Sequence, residues 1–232
     1  MTGGSSGIGA ALARTLARKG WHCVVVARDE ERLRAVAAET DGEYELCDVG
    51  ERAAVELLVN NAGFSGRASG RRLDFVGGDA DRLEELFRVT VLGAVWCLRS
   101  FWPALQEARP AHVVNVASVA GTVAVPPGPY AATKHALVGF SRALAASLPR
   151  EGVLVHTVNP GLVETPGFPQ RGTLGSRLME RLVVGPDYVA ERIVGAVERN
   201  RAEIFVPGWY RIPALAQAAA PGLVSRVLAR RR

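Results

Sequence analysis

The sequence predicts an α/β protein, a doubly wound parallel sheet in a single domain. Three observations predict it. Short β-branched runs alternate with longer stretches of helical periodicity. Those runs are apolar throughout rather than at every second residue, as strands covered on both faces must be. The chain has 232 residues, 48% hydrophobic and 22% charged. That is enough to fill one sizeable core and too apolar for disorder.

Six runs read as strands: Cys23 to Ala27, Tyr44 to Cys47, Leu57 to Val59, His112 to Val116, Leu154 to Val158 and Glu203 to Val206. Between them the periodicity predicts helices. The first runs from Ile8 to Lys19 and stops at Gly20, a residue suited to a helix end. Glu30 to Glu39 is the second. Asp81 to Trp102 is long and ends before Pro103; Tyr130 to Leu148 ends before Pro149; Asp187 to Asn200 is the last. No repeat or linker divides the chain.

The formal net charge is +5. Lys19 and Lys134 are the only lysines, so arginine carries the basic charge. No Lys/Arg cluster alternates with aromatics, which argues against nucleic acid; an anionic cofactor suits the balance. Cys23, Cys47 and Cys97 show no metal-ligand spacing and read as small core residues of a reducing compartment. The four histidines, His22, His112, His135 and His156, are scattered without ligand spacing. No signal peptide is expected, and no apolar stretch reaches the ~18 residues of a spanning helix. A cytoplasmic protein is expected.

The chemistry starts at Thr2-Gly3-Gly4-Ser5-Ser6-Gly7-Ile8-Gly9, which opens the first helix. Glycines let a backbone approach a pyrophosphate, and a helix N-terminus offers free N–H groups. Four further stretches follow in order: Asn60-Asn61-Ala62-Gly63, Ser118 in Asn115-Val116-Ala117-Ser118, Tyr130-Ala131-Ala132-Thr133-Lys134, and Asn159-Pro160-Gly161 with Thr165. From Thr2 to about Val206, this series resembles the classical short-chain dehydrogenase/reductase family. The resemblance implies a Rossmann-type fold and hydride transfer between a nicotinamide cofactor and a carbonyl or secondary alcohol. It implies that Gly3, Ser5, Ser6, Gly7, Ile8, Gly9, Asn61, Ala62, Gly63, Pro160, Gly161, Val163 and Thr165 line the cofactor.

Hydride transfer to a carbonyl carbon needs a proton partner on the oxygen, a role the resemblance gives to Tyr130. Lys134 lies four residues on and shares its helix face. An ammonium there is expected to lower the phenol's pKa from about 10. Lys134 would also hold the nicotinamide ribose. Ser118 would donate to the substrate oxygen, a task often worth about 3 kcal/mol per donor. The family often adds an asparagine that binds a water relaying protons to the lysine. Thr90, in Val89-Thr90-Val91-Leu92-Gly93, stands there instead. Its hydroxyl puts the relay in doubt and predicts slower turnover.

NADP is favoured over NAD. An NAD site usually places an acid at the end of the second strand of such a sheet. Here Ala27 stands there, and Arg28 can pair with a 2′-phosphate. Asp29 follows, but relatives with this Ala-Arg start and a leucine at the place of Leu33 commonly use NADP. By the same resemblance Asp48 meets the adenine amine.

Two segments of the family pattern are missing. Only Met1 precedes the glycine-rich turn, where relatives carry a central strand of the order 3-2-1-4-5-6-7. A gap in the sheet is expected, together with a true start upstream. Between Val49 and Leu57, Gly50 to Glu56 replaces a whole helix. Seven extended residues reach about 25 Å at most, against a crossover path of about 22 Å. A strained or rearranged third strand is therefore expected.

Residues Val163 to Val184 read as a substrate loop with apolar Phe168, Leu174, Leu178 and Met179. Residues 1–208 read as the catalytic domain and 209–232 as a basic amphipathic tail. In the tail, Ile212, Leu215, Leu223, Val224, Val227 and Leu228 are interspersed with Arg211, Arg226 and Arg230 to Arg232. It suits helices packed on the domain, on a second subunit, or on an anionic membrane. The family analogy implies a homo-oligomer. Three functions stay open: an NADP-dependent oxidoreductase acting on an apolar small molecule; an impaired, scaffold-like cofactor binder, which Thr90 and the missing segments favour; and a sugar-nucleotide epimerase, which the turn spacing and short C-terminal part disfavour.

Overall fold

A computed structural model describes residues 1–46, 56–63, 74–123, 128–166, 168–170 and 180–229. The strands are β1 (Val24–Ala27), β2 (Glu43–Leu46), β3 (Leu57–Asn60), β4 (Ala111–Val116), β5 (Val153–Pro160) and β6 (Glu203–Val206). The helices are α1 (Gly7–Ala17), α2 (Glu30–Thr40), α3 (Ala80–Phe87), α4 (Gly93–Glu107), α5 (Gly128–Ser147), α6 (Pro186–Glu198), α7 (Arg211–Ala219) and α8 (Pro221–Ala229).

All ladders are parallel. β1 pairs with β2, and β3-β4-β5-β6 form a second sheet. The two sheets meet at the start of the glycine-rich turn. Met1 and Thr2 join them: Val26 N donates to Met1 O at 2.8 Å, and Thr2 N donates to Val59 O at 2.9 Å. The order β2-β1-Thr2-β3-β4-β5-β6 is therefore the expected one, with Met1 and Thr2 in the central place.

The sheet is covered on both faces, as its apolar strands require. Leu12 and Leu16 of α1 pack with Val189, Ile193 and Val194 of α6 on one face. Leu98 and Leu105 of α4 pack with Phe140 and Leu144 of α5 on the other. Leu12 and Leu105 are fully buried. Truncating either to Ala would cost about 2–5 kcal/mol.

Three expectations are corrected. The long helix does not stop before Pro103; α4 carries the proline inside and runs on to Glu107. Burial of Ala104 and Leu105 outweighs the lost backbone hydrogen bond. Nor is that helix uniform: Arg88–Leu92 forms a π-turn between α3 and α4. The third strand, β2, is not rearranged through Leu46, pairing with β1 in regular register from Val24↔Glu43 to Ala27↔Leu46. Asp48, Cys47 and the linker to Val55 lie outside the described residues, as do residues 171–179 of the substrate loop.

Candidate active site

The glycine-rich turn is built by close approaches. Gly3 has φ +63°, and Asn61 Nδ2 donates to its carbonyl at 3.1 Å. A Cβ on Gly9 would stand 2.2 Å from Gly3 O, so no side chain fits there. Thr2 Oγ1 accepts from Asn61 N at 3.0 Å and from Ala62 N at 3.2 Å, tying the turn to the end of β3. α1 opens after Ser6 with no side-chain cap and no acid in its first turn. Its N–H groups and positive dipole end are thus available to an anion. Thr165 packs over the same turn: a Cβ on Gly7 would lie 3.2 Å from its Cγ2. Two segments expected to line the cofactor, 158 positions apart in sequence, meet there.

Arg28 follows β1 with its side chain 74% exposed, 3.7 Å from Glu85. Asp29 is engaged otherwise. Its carboxylate accepts from Arg32 N as the cap of α2 and pairs with the Arg32 guanidinium at 3.2 Å.

Ser118, Tyr130 and Lys134 converge. Ser118 ends the segment after β4, accepts from Ala120 N at 3.1 Å, and donates to Pro160 O at 3.4 Å. Tyr130 lies in the first turn of α5 and hydrogen-bonds with Ser118. Lys134 Nζ lies 6.0 Å from the Tyr130 ring centroid and donates to Val116 O at 3.1 Å. Burial pushes the lysine from its ordinary 10.5 down to about 8. The expectation of a lowered tyrosine pKa is corrected. Burial pushes the phenol above its ordinary value, with the Ser118 hydrogen bond opposing. Desolvation of the phenolate outweighs what the serine hydroxyl contributes.

Thr90 sits in the π-turn, 2% exposed, its Oγ1 without a hydrogen-bond partner among the described residues. The Cβ position of Gly63 lies 3.6 Å from both Thr90 Oγ1 and Lys134 Nζ. A cavity of about 50 Å³ behind it is lined by Thr2, Asn60, Ala62, Thr90 and Cys97, among others. That is room for ordered water, and Asn60 Oδ1 is a second buried acceptor without a partner.

Several supports were not visible in the sequence. Asn60 Nδ2 donates to Asn115 Oδ1 at 2.9 Å, and Asn115 Nδ2 to Ser141 Oγ at 3.0 Å. Thr157 Oγ1 donates to the same Ser141 oxygen at 2.7 Å. This chain of bonds fixes β3, β4, β5 and α5 in relation to one another. Gly121 is another support: a Cβ there would meet Lys134 O at 2.5 Å. Phe168 stacks beside the Tyr130 ring, centroids 6.3 Å apart. The Tyr210 ring lies on Gly161, and its hydroxyl accepts from Leu162 N at 3.4 Å.

Two of the four histidines, scattered in the sequence, meet in the fold. His112 and His156 stack, with His112 Nδ1 2.9 Å from His156 Nε2. His22 remains a surface partner of Glu43. Among the described residues no cluster of three or more His, Cys, Asp or Glu could hold a metal. No helix among them is long and apolar enough to cross a membrane.

A family model described as "Enoyl-(Acyl carrier protein) reductase" matches residues 3–185. A candidate ketoacyl reductase of a granaticin polyketide synthase from Streptomyces violaceoruber is 37% identical over 193 residues, covering 72% of this chain and 67% of its own. A solved structure described as a short-chain dehydrogenase from Sphingobium yanoikuyae in complex with NADPH superposes with TM-score 0.77 at 27% identity, over 97% of this chain and 93% of that one. A 3-oxoacyl-[acyl-carrier protein] reductase with bound NAD from Brucella melitensis gives TM-score 0.71 at 25% identity, covering 83% and 80%.

Proposed function

We propose that this chain, which belongs to the short-chain dehydrogenase/reductase family, interconverts a carbonyl and a secondary alcohol on an apolar small molecule, using NADP(H). The observation that carries the reading is the meeting of Ser118, Tyr130 and Lys134 in one buried corner. The glycine-rich turn fits the cofactor, since its backbone is bare and the start of α1 uncapped. Gly3, Ser5, Ser6, Gly7, Ile8 and Gly9 would hold the pyrophosphate. Asn61, Ala62 and Gly63 would line the adjoining wall, with Pro160, Gly161, Val163 and Thr165 along the nicotinamide. When bound, the cofactor supplies or accepts the hydride.

The protein's own part is proton handling. Ser118 turns its hydroxyl from the long contact with Pro160 O to the substrate oxygen. Tyr130, kept protonated at neutral pH by burial, gives its proton to that oxygen in reduction and takes one in oxidation. Lys134 is charged at neutral pH and eases formation of the phenolate beside it. Phe168 gives the pocket an apolar wall against the Tyr130 ring.

NADP rather than NAD is supported by the side chains after β1: Arg28 is exposed for a 2′-phosphate, and Asp29 is held by α2 and Arg32. The relatives carry either cofactor, NADPH in one and NAD in another. Residues 1–208 form the catalytic domain in this reading and 209–232 a tail; a homo-oligomer belongs to it by family analogy. The test is NADPH oxidation over a panel of ketones and aldehydes, with Tyr130→Phe as control. Turnover lost in the variant, with cofactor binding retained, is expected; equal turnover in both would refute the assignment.

A second reading, cofactor binding with impaired chemistry, is favoured by Thr90, whose buried hydroxyl lacks a partner where relatives place an amide. NADPH binding without turnover on any carbonyl would select it.

A further inference from the structure

We propose that the outer face of α7 and α8 docks on an anionic phospholipid surface. The two helices carry only four polar side chains, Arg211, Gln217, Ser225 and Arg226, yet among the described residues only Ala214 of them is buried. Trp209, Ile212 and Leu215 recur at three-residue spacing along one side and are 42%, 71% and 57% exposed. Leu223 and Val227, four apart on α8, are 59% and 46% exposed. Exposed apolar residues recurring at helical spacing mark a contact surface.

Charge identifies the occupant. After Glu203 the sequence has no acidic residue and five arginines: Arg211, Arg226, Arg230, Arg231 and Arg232. The whole chain has 28 basic and 23 acidic residues, so these five equal its entire net charge of +5. The rest of the chain is formally neutral. A second copy meeting this face symmetrically would bring arginines against arginines. An anionic lipid surface accepts them while the apolar row enters the headgroup boundary, and the long arginine stems let the charges stay at the interface. The face is held to the body of the protein through Tyr210 and Ala214, which pack on Val119 and Val123 beside Ser118.

The experiment is flotation of the full chain with vesicles of phosphatidylcholine, or of phosphatidylcholine with phosphatidylglycerol. Binding to the second and not the first is expected. Arg211→Gln with Arg226→Gln should weaken it about tenfold or more at low salt, and Ile212→Ser with Leu223→Ser should abolish it. Circular dichroism and NADPH binding confirm that each variant is folded; the arginine pair is exposed, so its removal leaves the packing intact. No flotation with either vesicle, or equal flotation with both, overturns the proposal. So does a dimer in solution that Ile212→Ser with Leu223→Ser dissolves, because that makes a second copy the occupant. The surface stands apart from the hydride chemistry, which Tyr130→Phe tests separately.

Discussion

Lys134→Met should make the protein more stable and catalytically dead. Lys134 is buried, and its Nζ donates a hydrogen bond to Val116 O at 3.1 Å. Burial depresses its pKa from 10.5 to about 8. In the unfolded chain the ordinary value returns. The difference, at about 1.4 kcal/mol per pH unit, means that the charged lysine costs the fold about 3 kcal/mol at neutral pH. Methionine fills a similar space without charge. It forfeits the hydrogen bond to Val116 O, worth about 1 kcal/mol. The net gain is about 2 kcal/mol, or about 4–8 °C in Tm for a domain of this size. The sign can be followed with pH. Between about 8 and 10.5 the unfolded chain holds a proton that the folded one does not. The wild type therefore gains stability as pH rises through that window, and the variant's advantage fades. Urea unfolding of both proteins at neutral pH and near pH 10 measures this, with NADPH oxidation in parallel. A variant less stable at neutral pH, or an advantage unchanged in alkali, would refute the argument.

Arg28→Ala should weaken NADPH binding about 10–100-fold, from loss of charge-assisted bonds, and leave NADH binding nearly unchanged; fluorescence titration with each cofactor checks this. Thr90→Asn should raise carbonyl turnover severalfold by placing an amide beside the cavity near Lys134; a lower rate in steady-state kinetics would sink the relay argument. Gly121→Ala forces a Cβ against Lys134 O and should destabilise by about 1–3 kcal/mol, with a fall in kcat, read by thermal melting and kinetics. Stability should also fall as pH drops below the ordinary histidine value of 6.5. Burial holds His112 and His156 below it, and for His112 the neighbouring imidazole adds to the effect. His156 Nδ1 donates to Arg201 O, so Nε2 accepts from His112, and a proton there sets two donors face to face. The urea midpoint should decline more steeply from neutral pH to about pH 5 in wild type than in His156→Leu.

The parallel sheet was legible because fully apolar strands such as Val113-Val114 leave no other arrangement. The pairing of Tyr130 with Lys134 was legible because one helical turn is a local distance. What escaped was non-local. His112 and His156 meet only because β4 and β5 lie side by side, and the bonds joining Asn60, Asn115, Ser141 and Thr157 need four elements in place. Pro103 misled because a local breaker was outweighed by the burial of Leu105. The rise of the Tyr130 pKa depends on how deeply α5 seats the phenol, which spacing does not encode.

Thr2 stands between β1-β2 and the four-stranded sheet, bridged to Val26 on one flank and bonded to Val59 on the other. α1 lies across the same junction: its Ala10 and Ala13 pack with Val25 and Leu33, and its Leu12 and Leu16 with Val59 and Val114. The helix that opens at the glycine-rich turn is thus the brace between the half of the sheet bearing Arg28 and the half bearing Tyr130.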